Sequence, residues 1–438
     1  MEEESAWAGL ENGIEDQEEL QVIYRTLDSY QQYAKIAHFQ CTHLRRQAFY
    51  ALPRAHWQRL AAPPFNYLET LDKVDDAIEA NAELARIIFR NGLDMFHIGV
   101  PSESGGRRTL ALPPEWNGSA KRTDIEKARS TLRQFYRDWS AEGAREREAC
   151  FGPVFRAINA ECAARGPDAP PLKVLVPGAG LGRLVFELCR AGCDAEGNEI
   201  SYHQLLASSY ILNCCPRAGH HTIYPWIHSF SNHKTRANHL RGYAVPDVHC
   251  ASELTRTEQE EGRRVGTMSM SAADFLCLYA QEDRADTYDV VASVFFLDTA
   301  PNLIRYLETI FHCLKPGGLL VNVGPLLWHF EGRVWDRDEH DDMSLDGSQG
   351  ARDLSGIADP GNFELTDDEV MALVTDVGFE VLEHQTDIEA PYILDPDSML
   401  QTLYKASAWV ARKPAATAAM PTPTGTAGDN TNSSGLET

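Results

Sequence analysis

Short β-prone segments alternate with helical segments from Pro171 onward, and this alternation most strongly limits the folds that the chain can adopt. The β-prone segments are "KVLVPG", "CDAEGNEI", "DVVASVFF" and "GGLLVNVGP"; helical patterns begin at Leu184 and His203 and recur over 303–314. Such alternation is typical of a parallel sheet with helices on both faces. The sequence therefore predicts an α/β fold with a doubly wound, Rossmann-like sheet.

Two later segments extend this sheet. The stretch "FELTDDEVMALVTDVGFEVLEHQ" predicts a helix, ended by Gly378, and then a strand, and "LYKASAWVARK" predicts a final strand. We expect this late pair of strands to supply an antiparallel edge.

The first part of the chain is helical in pattern. Apolar and aromatic residues recur at helical spacing from about residue 18 to 51 and again from Leu68 to Ile87, and a further helical stretch covers 123–162. The expected divisions are an acidic flexible N-terminus, a helical N-terminal region, the α/β domain and a disordered tail, at 1–17, 18–165, 166–413 and 414–438. An acidic insertion at 331–362 is either a flexible surface segment or a lid that selects substrates.

Charge and cysteine content exclude several classes of function. The formal net charge is −24, which repels nucleic acid and favours a small or cationic substrate. No apolar run is long enough to cross a membrane, and the N-terminus is too acidic for a signal peptide, so we expect an intracellular protein. The 10 cysteines include no C-x-x-C pair, so we expect reduced thiols and no metal site.

The segment "VLVPGAGLGRL" places Gly178, Gly180 and Gly182 between a buried strand and a helix. Glycines at such a turn let the backbone approach a ligand, and the helix N-terminus presents unpaired N–H groups. Their spacing differs from the dinucleotide pattern G-x-G-x-x-G, which argues against an NAD oxidoreductase. A tight turn without a ligand is the alternative interpretation.

Two acidic positions follow the glycine turn in the order that a ribose-bearing cofactor requires. Glu199 ends the next predicted strand, where a carboxylate would accept the ribose hydroxyls. In "SAADF", Asp274 would accept an adenine amino hydrogen and Phe275 would cover the ring; alternatively, Asp274 is an ordinary turn residue. The order favours S-adenosylmethionine over NAD.

Two polar residues lie where later strands end. Asp298 follows "SVFF", and His329 follows "GPLLW". Because the carboxyl ends of parallel strands meet at one edge, we expect the two side chains to share the acceptor pocket. The alternatives are an N-cap for Asp298 and a buried core position for His329.

The chain resembles the carnosine N-methyltransferase family of class I S-adenosylmethionine-dependent methyltransferases. The resemblance covers roughly residues 20–413 and is carried by "STLRQFYRDWSAEGAREREAC", "LVPGAGLGRL", "GNEIS", "YPWIHSFSN", "FFLDTA", "LKPGGLLVNVGPLLWHF" and "WVARK". It implies methyl transfer from S-adenosylmethionine to the imidazole of carnosine, giving anserine, or to a related histidine-containing peptide. It also implies a homodimer in the cytoplasm or the nucleus.

The resemblance assigns roles residue by residue. The cofactor positions are Gln134, Arg137, Gly178, Gly180, Glu199, Asp274, Phe275 and Val294. The acceptor positions are Asp298, His329, Tyr392 and Tyr404, of which Asp298, His329 and Tyr404 are the catalytic set. Arg137 would pair with the methionine carboxylate. The segment "QTLYK" departs from the consecutive tyrosines often found in the family, because Thr402 and Leu403 precede Tyr404.

Imidazole tautomerism suggests a mechanism. A carboxylate that accepts N–H from one ring nitrogen leaves the other nitrogen unprotonated, and Asp298 is the candidate for this orienting role. The remaining alternatives are methylation of histidine in proteins and a non-catalytic partner subunit that binds S-adenosylmethionine.

Overall fold

The computed structural model describes residues 17–98, 116–331 and 361–415. The expected flexible N-terminus at 1–17, except Gln17, lies outside the described residues, as do most of the acidic insertion at 331–362 and nearly all of the tail at 414–438.

Helices occupy the described part of the chain before the sheet. They are α1 (Gln17–His38), α2 (Leu44–Tyr50), α3 (Arg54–Ala61), α4 (Tyr67–Met95), α5 (Arg122–Trp139) and α6 (Ala144–Arg165), with a π-helical turn at Phe39–His43 that joins α1 to α2. The apolar stripes of α1 and α4 are buried together with one face of the sheet.

The predicted helical stretch at 123–162 is two helices, because the chain breaks between α5 and α6. Gly143 makes the break possible: a Cβ there would lie 2.3 Å from the carbonyl oxygens of Tyr136 and Arg137. Any other residue would force the two helices apart.

A seven-stranded sheet forms the centre of the molecule. Its strands are β1 (Lys173–Pro177), β2 (Asp194–Glu199), β5 (Met268–Ala272), β6 (Tyr288–Val294), β7 (Leu314–Gly324), β8 (Glu380–Pro391) and β9 (Leu403–Arg412). The order is β5-β2-β1-β6-β7-β9-β8, and β9 runs antiparallel to both its neighbours. The predicted doubly wound sheet with a late antiparallel edge is confirmed. The strand order changes direction at β1, so a crevice opens beyond its carboxyl end.

Seven further α-helices accompany the sheet in the described residues. They are α7 (Arg183–Arg190), α8 (Tyr202–Ser209), α9 (Arg236–His239), α10 (Cys250–Gln259), α11 (Phe275–Tyr279), α12 (Leu303–Cys313) and α13 (Asp367–Asp376). One buried cluster joins the N-terminal helices to one sheet face, and a second covers the other face with α11, α12 and α13. The helical region therefore packs directly on the sheet, which brings the end of α5 to the crevice at β1.

Sequence patterns missed three strands. β5 reads "MSMSA", whose serines interrupt any apolar run, and β3 (His221–Ile223) and β4 (Tyr243–Val245) form a separate hairpin of three-residue strands. No helix of the described residues is long and apolar enough to cross a membrane.

Candidate active site

The glycine turn between β1 and α7 adopts a backbone that only glycine adopts easily. Gly178, Gly180 and Gly182 have φ values of 64°, 58° and 73°. A Cβ at Gly178 would lie 2.7 Å from the Phe296 ring, whereas at Gly180 the nearest protein atom would be 4.0 Å away. The space beside Gly180 is therefore open for a ligand.

Glu199 is held against this turn. Its carboxylate accepts hydrogen bonds from the Gly180 N–H at 2.9 Å, from the Ile200 N–H at 2.9 Å and from the Ser201 N–H at 2.8 Å. Burial raises the pKa of Glu199, and the three backbone donors oppose that rise. A carboxylate offers about four lone-pair sites, so it retains capacity for a ribose hydroxyl.

The end of α5 is fastened to the glycine turn. Trp139 Nε1 donates to the Leu181 carbonyl at 3.1 Å, and Arg183 Nη1 donates to the Asp138 carbonyl at 2.9 Å. One cavity of about 780 Å³, partly open to solvent, results from this contact. Five predicted cofactor positions line it: Gln134, Arg137, Gly178, Gly180 and Val294.

Arg137 enters this cavity as half of an ion pair. Its Nε and Nη2 donate to the carboxylate of Asp138 at 2.7 Å and 3.2 Å. A guanidinium has five N–H donors, so this pair leaves three for the carboxylate of a ligand. The paired Asp138 fixes the direction in which those donors point.

Sequence reasoning missed the charged network that caps α5. Arg147 donates to the carbonyls of Arg137 and Ser140 at 2.7 Å and 2.8 Å, which satisfies acceptors that a helix end leaves open. Asp247 bridges Arg147 and Arg183 at 2.9 Å and 2.6 Å. The sequence gives no sign of this network, because Asp247 lies 100 residues from Arg147 in the chain and the two side chains come together only in the folded structure.

The predicted adenine positions do not line the cavity. Asp274 caps α11 and accepts from the N–H groups of Leu276 and Cys277 at 2.8 Å and 3.1 Å. Phe275 is buried, with its ring 5.4 Å from those of Phe296 and Tyr306. The cofactor roles of Asp274 and Phe275 stay predictions.

Asp298 and His329 meet at the carboxyl ends of β6 and β7. Asp298 is 2% exposed, its Oδ2 accepts from the Leu327 N–H at 3.0 Å, and its carbonyl accepts from the His329 N–H at 3.1 Å. Asn302 caps α12, so Asp298 is not its cap, and His329 is exposed rather than a core residue. Burial raises the pKa of Asp298, and the Leu327 N–H and the His329 charge oppose that rise.

Three aromatic rings connect the cavity to this edge. The Phe295 centroid lies 5.4 Å from that of Tyr392 and 6.0 Å from that of Tyr404, and the Arg137 guanidinium carbon lies 5.1 Å from the Tyr392 centroid. Burial, with the nearby Tyr392 and Asp298, raises the pKa of Tyr404 and keeps it protonated. The sequence analysis did not identify Phe295 as a site residue. Its position directly after β6 was the only local feature that pointed to the site.

No group of three or more His, Cys, Asp or Glu side chains in the described ranges could hold a metal ion.

A family model and several similar proteins carry the same description. A family model described as "Carnosine N-methyltransferase" matches residues 114–415. A Schizosaccharomyces pombe protein of that name is 33% identical over 91% of this chain and 97% of its own length. A Rattus norvegicus protein of that name is 31% identical over 91% of this chain and 88% of its own.

Proposed function

The chain belongs to the carnosine N-methyltransferase family and is a methyltransferase that uses S-adenosylmethionine, and from this premise we propose that it methylates an imidazole nitrogen of carnosine or of a closely related histidine-containing peptide. One observation carries the proposal: Phe295 and Tyr392 line the cavity beside the glycine turn, and both rings lie about 6 Å from Tyr404, the neighbour of the buried Asp298.

The cavity residues fit the cofactor. The open space at Gly180 admits the part of the cofactor that lies against the glycine turn, and Arg137 offers donors for a carboxylate. Glu199 is not among the residues that line the cavity; held against Gly180, it would accept hydrogen bonds from the ribose hydroxyls. The bound cofactor supplies a methyl group on a positively charged sulfur. The rings of Phe295 and Tyr392 favour such a cation through their π faces and exclude water from its surroundings.

Asp298 orients the acceptor in this proposal. The Leu327 N–H uses one lone pair of its carboxylate, so other lone pairs accept the N–H of an imidazole. The opposite ring nitrogen would keep its lone pair for the new bond to the methyl carbon, which replaces the bond from that carbon to sulfur. Asp298 would then take the N–H proton of the methylated, positively charged ring. His329 and Tyr404 position the rest of the acceptor.

The test is methyl transfer from labelled S-adenosylmethionine in parallel incubations with carnosine, free histidine and cell-extract protein. We expect label in carnosine and little in the other two. Label in protein alone would replace the dipeptide with a protein histidine. Binding of S-adenosylhomocysteine without labelling of any acceptor would instead indicate a non-catalytic partner subunit.

We also propose a homodimer in the cytoplasm or nucleus. Phe39, Tyr50 and Phe65 on and beside the N-terminal helices are each more than half exposed, which supports a protein contact on that surface. Sedimentation equilibrium and imaging of the tagged protein test these two statements. A monomer at micromolar concentration would contradict the first.

A further inference from the structure

A second cavity lies beside the acceptor edge and contains two arginines. Arg129 and Arg133 line it from α5, and Trp226, His228 and the segments at 229–233 and 393–402 complete its wall. It encloses about 830 Å³, partly open to solvent. Nothing in the proposed methyl transfer uses this cavity.

Neither arginine has an ion-pair partner among the described residues, although the charge of the more distant Glu146 raises the pKa of Arg133. Neither guanidinium has a carboxylate oxygen within 4.0 Å among the residues that the structure describes, and the buried Arg133 Nε has no hydrogen-bond partner there. The Arg133 guanidinium carbon lies 5.7 Å from the Trp226 ring centroid, which holds it in place without neutralising it. Burial, followed by the neighbouring Arg129 charge, lowers the pKa of Arg133.

Two other polar side chains of the cavity, Asp395 and His228, already have hydrogen-bond partners. Asp395 accepts from Asn238 Nδ2 with both carboxylate oxygens, at 2.9 Å and 2.8 Å. The ring nitrogens of His228 contact the Tyr33 hydroxyl at 2.9 Å and the Cys41 sulfur at 3.5 Å. Burial and the two arginine charges lower the pKa of His228 to about 3, so the ring is neutral. Two guanidinium groups therefore face the single carboxylate of Asp395, so the cavity keeps a net positive charge.

One wall of this cavity continues into the acceptor site. Tyr392 lines the first cavity, and the next residues, Ile393 and Leu394, line the second. Arg133 and Arg137 are four residues apart, one helical turn or about 6 Å along α5. The free carboxylate of β-alanyl-L-histidine belongs to the residue that bears the imidazole, and a dipeptide spans at most about 7 Å. An acceptor with its imidazole near Tyr392 therefore places this carboxylate within reach of the second cavity.

We propose that the Arg129–Arg133 cavity is an acceptor subsite that binds a carboxylate group of the histidine-containing substrate. The carboxylate comes either from the C-terminus of a dipeptide or from an acidic side chain beside the histidine of a longer peptide. Charge-assisted hydrogen bonds to the two guanidinium groups supply the affinity. In a chain of net charge −24, this local positive charge also draws an anionic group to an otherwise repelling surface.

The inference rests on the proposed function, and the experiment separates the two. Wild-type enzyme is assayed with carnosine, with its C-terminal amide and with a histidine peptide that carries a neighbouring glutamate; binding of each to the S-adenosylhomocysteine complex is measured by calorimetry. If the wild type methylates none of the three acceptors, the proposed function is refuted. Calorimetry still shows whether the cavity binds a carboxylate, because it measures binding without methyl transfer.

The informative variants are Arg133→Met, which removes an unpaired charge at similar size, and Arg133→Lys, which retains the charge. Arg122→Met is the matched control, because Arg122 lies on the same helix with its side chain 88% exposed. We expect Arg133→Met to raise the KM and Kd for carnosine roughly tenfold or more without changing kcat. The KM and Kd for the C-terminal amide should stay unchanged. Arg133→Lys should recover part of the affinity for carnosine.

The pattern of losses identifies the source of the carboxylate. If Arg133→Met loses affinity for carnosine alone, the C-terminal carboxylate is the group that binds in the cavity. If it loses affinity for the glutamate peptide alone, the group is an acidic side chain. Equal effects on all three acceptors, or no effect on any, would overturn the subsite.

Discussion

Replacing Gly180 with alanine should separate cofactor binding from folding, with Gly182 as the internal comparison. Both glycines have a left-handed backbone, so an alanine costs about 1–2 kcal/mol of stability at either position. A Cβ at Gly182 would lie 2.8 Å from a Leu212 methyl carbon, and the forced repacking adds roughly 1–3 kcal/mol. At Gly180 the new methyl enters the open cavity instead.

The two variants should therefore show opposite rankings in two assays. Gly182→Ala loses more stability, whereas Gly180→Ala loses more affinity, because its methyl occupies volume that the cofactor needs. We expect the Kd for S-adenosylhomocysteine to rise at least tenfold in Gly180→Ala, about 1.4 kcal/mol, and to change little in Gly182→Ala.

Thermal melts with and without S-adenosylhomocysteine, together with calorimetry, measure both quantities. A ligand at 100 times its Kd stabilises the folded state by about 2.7 kcal/mol, so a lost thermal shift is easily seen. Gly180→Ala protein that binds with wild-type affinity would refute the placement of the cofactor beside this turn.

Three further variants and one change of pH test the site and its surroundings. Asp298→Ala should reduce kcat by at least 10²-fold with the S-adenosylhomocysteine Kd nearly intact, because the acceptor loses its orienting carboxylate; full activity in steady-state assays would end that assignment. Arg137→Met should weaken S-adenosylhomocysteine binding tenfold or more and cost about 3–5 kcal/mol of stability, because Asp138 is left buried and unpaired. The double variant Arg137→Met/Asp138→Asn should recover stability in urea melts but not affinity; recovered affinity would contradict the role of Arg137. Burial lowers the pKa of four histidines, to about 3 or 4: His203, His221, His228 and His239. The unfolded chain protonates these rings below about pH 6.5 and the folded protein does not, so stability present above that pH is lost on acidification, at up to about 5 kcal/mol per pH unit. Urea melts at pH 7.5 and 5.5 that give equal stability would show that these rings are not neutral in the fold.

The architecture was predictable because its signals are local. Apolar runs such as "KVLVPG" and "DVVASVFF" mark buried parallel strands, and the glycines after β1 mark the turn whose left-handed backbone the structure contains. β5 carried no such signal, since alternating methionine and serine is not a continuous apolar pattern.

The site was predictable only in part because its parts come from distant segments. The positions of Asp298 and His329 followed from strand ends, but Arg137 was found through the family resemblance, since nothing local distinguishes it from a surface arginine. Phe295 and Asp247 were missed because their partners lie about 100 residues away in the chain.

Glu146 shows how such distant segments are fixed relative to one another. This buried carboxylate, near the start of α6, accepts the N–H groups of Ile393 and Leu394 at 2.7 Å and 2.8 Å. Both residues directly follow Tyr392, so one side chain of the helical region sets the position of the wall that the two cavities share. The same helical region places Arg137 beneath the Tyr392 ring. The glycine turn alone therefore specifies a cofactor site, and the packing of α5 and α6 against the β8–β9 segment determines which acceptor can reach it.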